Sequence, residues 1–526
     1  MEPKMKRPIN VLHCAGRSAV LGMAAVLVFT CGARAQIGGG NSPQSTAASQ
    51  LPLSGRTAQS GSVIAVQNPV PGTTSSVDTL NPSVEVQGSY AGSADSTAKM
   101  PFSGKLGFRE AINRGLAYNL GAIGVTQAVR QAQGMSHSAR SSLLPNLSGT
   151  VSETDETEDL QALGFRFTFP IPGFSIPTVV GPFNYMDARV QLTQAVLDLT
   201  ALNNYRSSRE QLRSNQMEAL NARDLVVLAV GGTYLQVLAA QARVTSADAQ
   251  LETANAVYQQ ALQQSGVGLV AHIDVNRSQV QALTEQQRLV SLQNDLAKHK
   301  INLARLIGLP PTEQYELSDD IPFSAAPPLA FDEAVKQALE QRADLKAAQA
   351  QVRAAEMTHA AARAERIPSF SVNANYGAIG TNPDQAKATY TVAGTVRVPI
   401  WQGGKAGADI EQTDAELAQR KAEAEDLKSE IESEVRSAYL DLQAATSQVD
   451  LTQRNLQVSK ETLDLTRQRF EAGVTDSVEV VQTEQTVASA ELDYINSVFA
   501  HNVAKLSLAR AMGSAADNLP QFLPVR

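Results

Sequence analysis

The feature that most constrains this chain is a run of about 70 residues without proline, Gly403 to Phe470, patterned for a helix throughout. Val435, Leu442, Val449, Leu456, Leu463 and Phe470 recur every seven residues. Ala438, Ala445, Thr452, Ser459 and Thr466 follow three places behind. A row of large apolar side chains beside a row of small ones is the pattern of helices packed along their length. At the helical rise, such a run makes a rod of ~105 Å. Gly473 is placed to stop it, because glycine accepts the left-handed conformation that ends many helices. A return helix is expected from Ser477 to Met512.

Composition agrees with long helices. Of 526 residues, 43% are hydrophobic and only 5% aromatic, which suits Ala-, Gln-, Glu- and Leu-rich rods better than one thick core. The net charge of −8 argues against nucleic-acid binding. Lys4, Lys6 and Arg7, then an apolar run from Ala19 to Phe29 and the small-residue site Ala33-Arg34-Ala35, read as a secretory signal over residues 1–35. Both cysteines, Cys14 and Cys31, precede that cut, so disulfides are not expected in the mature chain. Phe29-Thr30 before Cys31 disfavours a lipid-attachment site. No later run of 18 apolar residues is evident, so any membrane span is expected to be built of strands. Residues 36–101, rich in Gly, Ser, Thr, Pro and Gln, read as a disordered linker.

From residue 102 the chain states its pattern twice. Phe331-Asp332-Glu333-Ala334-Val335 answers Phe108-Arg109-Glu110-Ala111-Ile112, and Ile367-Pro368-Ser369-Phe370-Ser371 answers Leu144-Pro145-Asn146-Leu147-Ser148. Both fit one shift of about 223 residues. Further on the shift is about 205. It places Val230, Val237 and Val244 on Val435, Leu442 and Val449, Gly268 on Gly473, and Leu303-Ala304-Arg305 on Leu508-Ala509-Arg510. The expected units are a first repeat over 102–310, a connector over 311–330, a second repeat over 331–515 and a tail over 516–526. Each repeat holds a helix, two strands and a long helical hairpin.

The strands alternate in character. Phe370, Val372, Ala374 and Tyr376 are separated by Ser371, Asn373 and Asn375; Tyr390, Val392, Gly394, Val396 and Val398 alternate likewise. In the first repeat the strands start at Leu147 and at about Asp187. Each is about ten residues, enough to cross a bilayer when tilted. Four strands cannot close a membrane barrel by themselves, because open edges are not tolerated in lipid and the smallest such barrels use eight. Three copies would supply twelve. The expected fold class is therefore mainly α with membrane β-strands: a trimeric 12-stranded barrel continued by a long α-helical barrel. The alternative is a periplasmic structural or adaptor coiled coil without a pore, which leaves the strands unexplained.

These residues resemble the TolC-like outer-membrane efflux proteins over about 102 to 515. The most specific segments are the tips, Val267-Gly268-Leu269-Val270-Ala271-His272-Ile273-Asp274-Val275 and Gly473-Val474-Thr475-Asp476-Ser477-Val478-Glu479-Val480. The resemblance implies a homotrimeric channel-tunnel in the outer membrane, with its helical part in the periplasm. Its tips would dock a periplasmic membrane-fusion adaptor linked to an inner-membrane transporter, as in tripartite efflux or type I secretion. By the same resemblance Gly268, Leu269, Val270, Gly473, Val474 and Thr475 are the adaptor-docking tips. Asp274 and Glu479 open the return helices, where a carboxylate also stabilises the helix dipole. In a trimer they are candidates for a periplasmic gate. Gln482 stands where some family members carry a second acid, which limits cation sensitivity. His272 reads as an exposed helix-start residue. Trp401, the only tryptophan, is the expected anchor at the lipid interface. No catalytic, cofactor or metal motif emerges from the pattern of His, Cys and carboxylates, so no enzyme activity or cofactor is expected.

Overall fold

The computed structural model describes residues 61–70, 79–95, 100, 102–162, 164, 177–268, 270–319, 323–325, 330–472, 474–475, 477–517 and 522–523. All of them fall in the unit spanning 58–526. The expected signal over 1–35 and Cys31 lie outside the described residues, as do Leu269 and Gly473.

Described in chain order, the elements are β1 (Val63–Val70), β2 (Thr79–Val86), β3 (Lys105–Leu106), α1 (Phe108–Tyr118), α2 (Leu120–Ser141), β4 (Asn146–Asp159) and β5 (Val179–Leu197). Then follow α3 (Leu199–Gly266), α4 (His272–Ile307), β6 (Glu316–Leu317), α5 (Phe331–Gln341), α6 (Ala343–Ala364), β7 (Ser369–Gly380), β8 (Lys387–Arg397), α7 (Lys405–Glu471) and α8 (Ser477–Ala511). The long helices begin and end close to where the seven-residue pattern puts them. Asp198 caps α3 by accepting from the Ala201 N–H at 2.8 Å.

β4, β5, β7 and β8 form one antiparallel sheet in that order, so β4 and β8 each have a single neighbour. The register sorts the side chains by face. Leu147 opposes Leu192, Leu192 opposes Ala374 and Ala374 opposes Val392; Val190, Tyr376 and Tyr390 make the next row. The other face carries Ser148, Gln191, Asn375 and Thr391 in register, and Thr150 beside Arg189. The apolar face is exposed, with Leu147, Val151, Tyr376, Tyr390 and Val392 all accessible. From Phe370 to Ala378 it spans ~26 Å along the strand. β5 starts eight residues earlier than the sequence suggests. Pro182 argues against a strand, but residues 179–185 pair only with β4, so on their other side no donor is required of it.

The helical core is built where α3, α4, α8 and α1 meet. Phe108, Val226, Val230, Tyr234, Leu303, Ile307, Val503 and Leu506 are buried there. α3 includes an 18-residue stretch of mean hydropathy 1.6, long and apolar enough by composition to cross a membrane, in contrast to the sequence reading. Its residues are 72% buried among protein, so the core accounts for its apolarity. Gly231 and Gly232 lie in this stretch. A Cβ on the first would meet Leu506 Cδ2 at 2.8 Å and on the second Val84 Cγ2 at 2.4 Å, so α8 and β2 both approach at glycine.

Residues 61–70 and 79–95 are folded, which corrects the reading of 36–101 as a disordered linker. β1 and β2 pair antiparallel along their whole length. Tyr90 is buried against Gly121, whose Cβ would sit 2.3 Å from the ring. Asn119 donates to the Tyr90 carbonyl at 2.7 Å and caps α2 by accepting from Gly121 N–H. The segment has few large apolar groups, but Val63, Val84, Val86 and Tyr90 are all applied to the core. The connector takes part as well. β6 pairs parallel with β3, and Asp319 accepts from the Tyr234 hydroxyl at 3.2 Å and from the Phe108 N–H. Of the tail, Phe522 and Leu523 are buried in the core.

Candidate functional site

The two hairpin ends join α3 to α4 and α7 to α8. α3 stops at Gly266; Val267 follows, and then Gly268 with φ +77°, a conformation that any Cβ would strain. Nothing lies within 4 Å of the Gly268 Cβ position, so a large side chain there would project freely. α7 stops at Glu471, and Val474 N–H reaches back to the Arg469 carbonyl at 2.9 Å. Val267, Ile273, Val474 and Val478 are exposed at these ends.

The candidate gate carboxylates are each held beside an arginine. Arg277 Nη1 lies 3.1 Å from Asp274, one turn along α4. Arg469 Nη1, at the end of α7, lies 2.8 Å from Glu479, which also accepts from the Thr475 hydroxyl. Sequence reasoning missed both arginines. Asp–x–x–Arg spacing on α4 signals the first; the second lies across a turn and leaves no periodic trace. Gln482 is exposed and lines, with Ile273, Val280, Val478 and Val481, a groove between the first turns of α4 and α8. Asp274 and Glu479 do not line it. His272 is exposed.

Deeper along the hairpins a polar layer ties α3 and α4 to α7 and α8. Glu491 accepts from Ser246 at 2.6 Å and from Gln250 at 3.2 Å, and pairs with Lys460 at 2.8 Å. Burial alone would raise its pKa, but the hydrogen bonds from Lys460 and Ser246 hold it below the usual carboxylate value. Glu484 pairs with Arg467 at 3.0 Å, yet burial keeps its pKa raised, with Glu285 adding to the effect. Gln281 donates to Glu285 at 3.0 Å and accepts from Gln485 at 3.2 Å. Higher up, Arg243 donates to Asn496 at 2.6 Å and 3.1 Å. Gln250, Gln281, Glu285, Lys460, Arg467, Glu484 and Glu491 of this layer line a cavity of about 330 Å³. None was singled out from sequence, because each sits on a helix position that reads as ordinary polar surface.

The small-residue rows are buried as their pattern requires: Ala438, Ala445, Thr452, Ser459 and Thr466 on α7, and Ala240, Ala247, Ala254 and Ala261 on α3. A further pair of rows is largely exposed among the described residues. Leu451, Val458 and Leu465 on α7, and Ile273, Val280, Leu283 and Val290 on α4, are all more than half exposed. Trp401 is 87% exposed beyond β8, next to Ile400.

The chain matches the profile of the outer membrane efflux protein family over residues 125–309 and 334–514. It is 23% identical over 321 residues to the pyoverdine export outer membrane protein OpmQ of Pseudomonas aeruginosa. That match covers 59% of this chain and 65%, just under two thirds, of OpmQ. To the outer membrane protein TolC of Escherichia coli it is 22% identical over 345 residues, covering 63% of this chain and 70% of TolC. Among solved structures, the fold is similar to the CmeC outer membrane channel of Campylobacter jejuni, with a TM-score of 0.66 at 16% identity over 78% of this chain and 86% of CmeC. VceC of Vibrio cholerae has the same TM-score and identity, over 78% of this chain and 97% of VceC. With its mostly helical architecture, its four-stranded sheet of alternating character and this family match over most of its length, the chain is a TolC-like protein and belongs to the outer membrane efflux protein family.

Proposed function

We propose that the protein is a passive export conduit of the outer membrane: a homotrimer whose twelve strands close a barrel and whose helices continue it as a tunnel into the periplasm. The observation that carries this reading is the four-stranded sheet, apolar on one face, polar on the other and open at both edges. In lipid each edge requires a partner, and a second copy's β4 beside β8 supplies one. The exposed rows on α7 and α4 support the same closure, since seven-residue spacing along two helices suits packing between neighbouring copies. Trp401 and Ile400 then anchor the barrel at the membrane surface. The correspondence between the halves supports an origin in two repeats, over 102–310 and 331–515. The chain acts without covalent chemistry.

The tips at Gly268, Leu269, Val270, Gly473, Val474 and Thr475 dock a periplasmic adaptor that links the conduit to an inner-membrane transporter. Exposed Val267 and Val474 offer apolar surface for that contact. The amphipathic sheet disfavours a poreless adaptor coiled coil, which has no use for an exposed apolar strand face. The test joins two measurements. Purified protein in mild detergent is expected to be trimeric and to open ion-conducting pores in planar bilayers. Gly268→Trp with Gly473→Trp is expected to keep trimer and pores while export from cells stops. A folded monomer without conductance defeats the conduit reading; a double variant that still exports defeats the docking role.

A further inference from the structure

The sheet ends on the open edges of β4 and β8, and the register inside it specifies how a second copy fits between them. Pro145 precedes β4 as Pro368 precedes β7, and Asn146 pairs with Thr193 as Ser369 pairs with Arg397. The hairpin of β4 and β5 thus corresponds to that of β7 and β8, with Thr193 at the place of Arg397. The correspondence keeps the faces: Met186, Ala188 and Leu192 fall on Tyr390, Val392 and Val396, and Gln191 falls on Thr395. Between the two hairpins, β5 is joined to β7 with Gln191 opposite Asn375, Leu192 opposite Ala374 and Thr193 opposite Asn373. The chain makes this junction once, internally. Its counterpart, from β8 to a β4, is left unmade within one copy. Every residue of β8 is exposed, as is β4 from Asn146 to Glu153.

From the internal junction we infer that β8 of one copy pairs antiparallel with β4 of the next in one register: Arg397 opposite Thr150, Val396 opposite Val151, Thr395 opposite Ser152 and Gly394 opposite Glu153. The inference rests on the trimeric barrel proposed above and adds to it the residues that meet at the seam. A slip of one residue sets Val396 against Thr150 or Ser152, so that the apolar face of one copy continues as the polar face of the next. A sheet with one face in lipid does not accept that. Slips of two keep the faces and lose the contacts. One puts Val396 opposite the carboxylate of Glu153; the other puts it opposite Gly149, which has no side chain to pack. In the inferred register two β-branched valines meet on the apolar face, and the hydroxyls of Thr395 and Ser152 meet on the polar one.

The register is tested by disulfide formation between copies of the full chain in outer-membrane vesicles, with copper–phenanthroline as oxidant. Val396→Cys with Val151→Cys places two thiols opposite each other across the seam, and Arg397→Cys with Thr150→Cys does so one residue along. Adjacent pairs on antiparallel strands alternate between hydrogen-bonded and non-hydrogen-bonded, and the second kind brings side chains closest, so one of these two pairs is well placed for a bond. Val396→Cys with Gly149→Cys and Val396→Cys with Glu153→Cys report the two slips. The single variants control for bonds through Cys14 or Cys31. Covalent dimers and trimers are expected on non-reducing gels. At least one matched pair should link on the order of ten-fold faster than the displaced pairs, whose Cβ atoms stand ~7–8 Å apart, too far for a disulfide. Faster linkage in a displaced pair overturns the register and leaves the conduit reading standing. No linkage in any pair, in protein that is still trimeric and conducting, overturns the register as well. A folded monomer without linkage defeats the barrel reading itself, and the register with it. The matched pairs lie on opposite faces of the sheet, so a folding defect in one leaves the other as the test.

Discussion

His501 and Lys505, one helical turn apart on α8, are fully buried. Burial, reinforced by the charge of Lys505, pushes His501 down to about 4, and burial pushes Lys505 down to about 8. Each folded pKa lies below its unfolded value, so the unfolded chain binds the proton more tightly. For His501 the folded state is therefore fully favoured above about pH 6.5 and loses stability as the pH falls towards 4, by about 3 kcal/mol over that interval. Thermal unfolding against pH is expected to show this loss, and His501→Leu should flatten it. An unchanged acid slope in the variant would assign the loss to other groups. Lys505 contributes in the same sense at higher pH, with stability rising between about 8 and 10.5. Neither residue stands out in the sequence. A histidine and a lysine at i and i+4 read as solvent-exposed helix, and only the connector packed over them through Phe323 and Ser324 makes them interior groups.

The sequence and the elements agree best where a period runs long. The heptad rows on α7 locate its buried seam residue by residue, and the alternation along β7 and β8 sorts their two faces correctly. Legibility fails where order depends on a distant partner. The hairpin of β1 and β2 is polar, short and proline-bearing, and it is folded because Gly232 and Gly121 leave room for Val84 and Tyr90. Nothing local in residues 61–95 announces that fit. Deletion of residues 61–95 is accordingly expected to lower the melting temperature and the yield of assembled protein, by uncovering α3 at Gly232, where Val84 packs. Normal assembly after the deletion, measured by heat-modifiable migration on gels, would show the hairpin to be an ornament. The arginines at the tips were illegible for the same reason: Arg469 meets Glu479 only because the chain turns between them.

At the level of the whole molecule, the proposed trimer would cover the exposed rows on α7 and α4 and pair the edges of β4 and β8 together. Val458→Glu places a charge in the outer row of α7 and is expected to reduce trimer recovery while leaving the far-ultraviolet circular dichroism of the helices unchanged. Full recovery of trimer would remove this row from the proposed seam. The tips make a further prediction on conductance. In the proposed trimer Asp274 and Glu479 would each form a ring, and because each carries an arginine partner those rings would be close to neutral. Arg277→Gln with Arg469→Gln is therefore expected to unmask the carboxylates and to increase cation selectivity and divalent block several-fold. At ~8 Å, two like charges repel by about 2 kcal/mol at an effective dielectric of 20. No change in reversal potential or block would separate these carboxylates from the ion path.

The long-range contacts around the helical core also determine when the chain can fold. β3 pairs with β6 across some two hundred residues, and Asp224 accepts from the N–H of Ala516, 292 residues away. Loops of that length close slowly, and neither contact forms until its later partner has been made and delivered. A chain made from its N-terminus thus reaches residue 516 with these contacts still unmade. The long-range ties that lock the finished structure are therefore among the last to form, and its final rigidity arrives late.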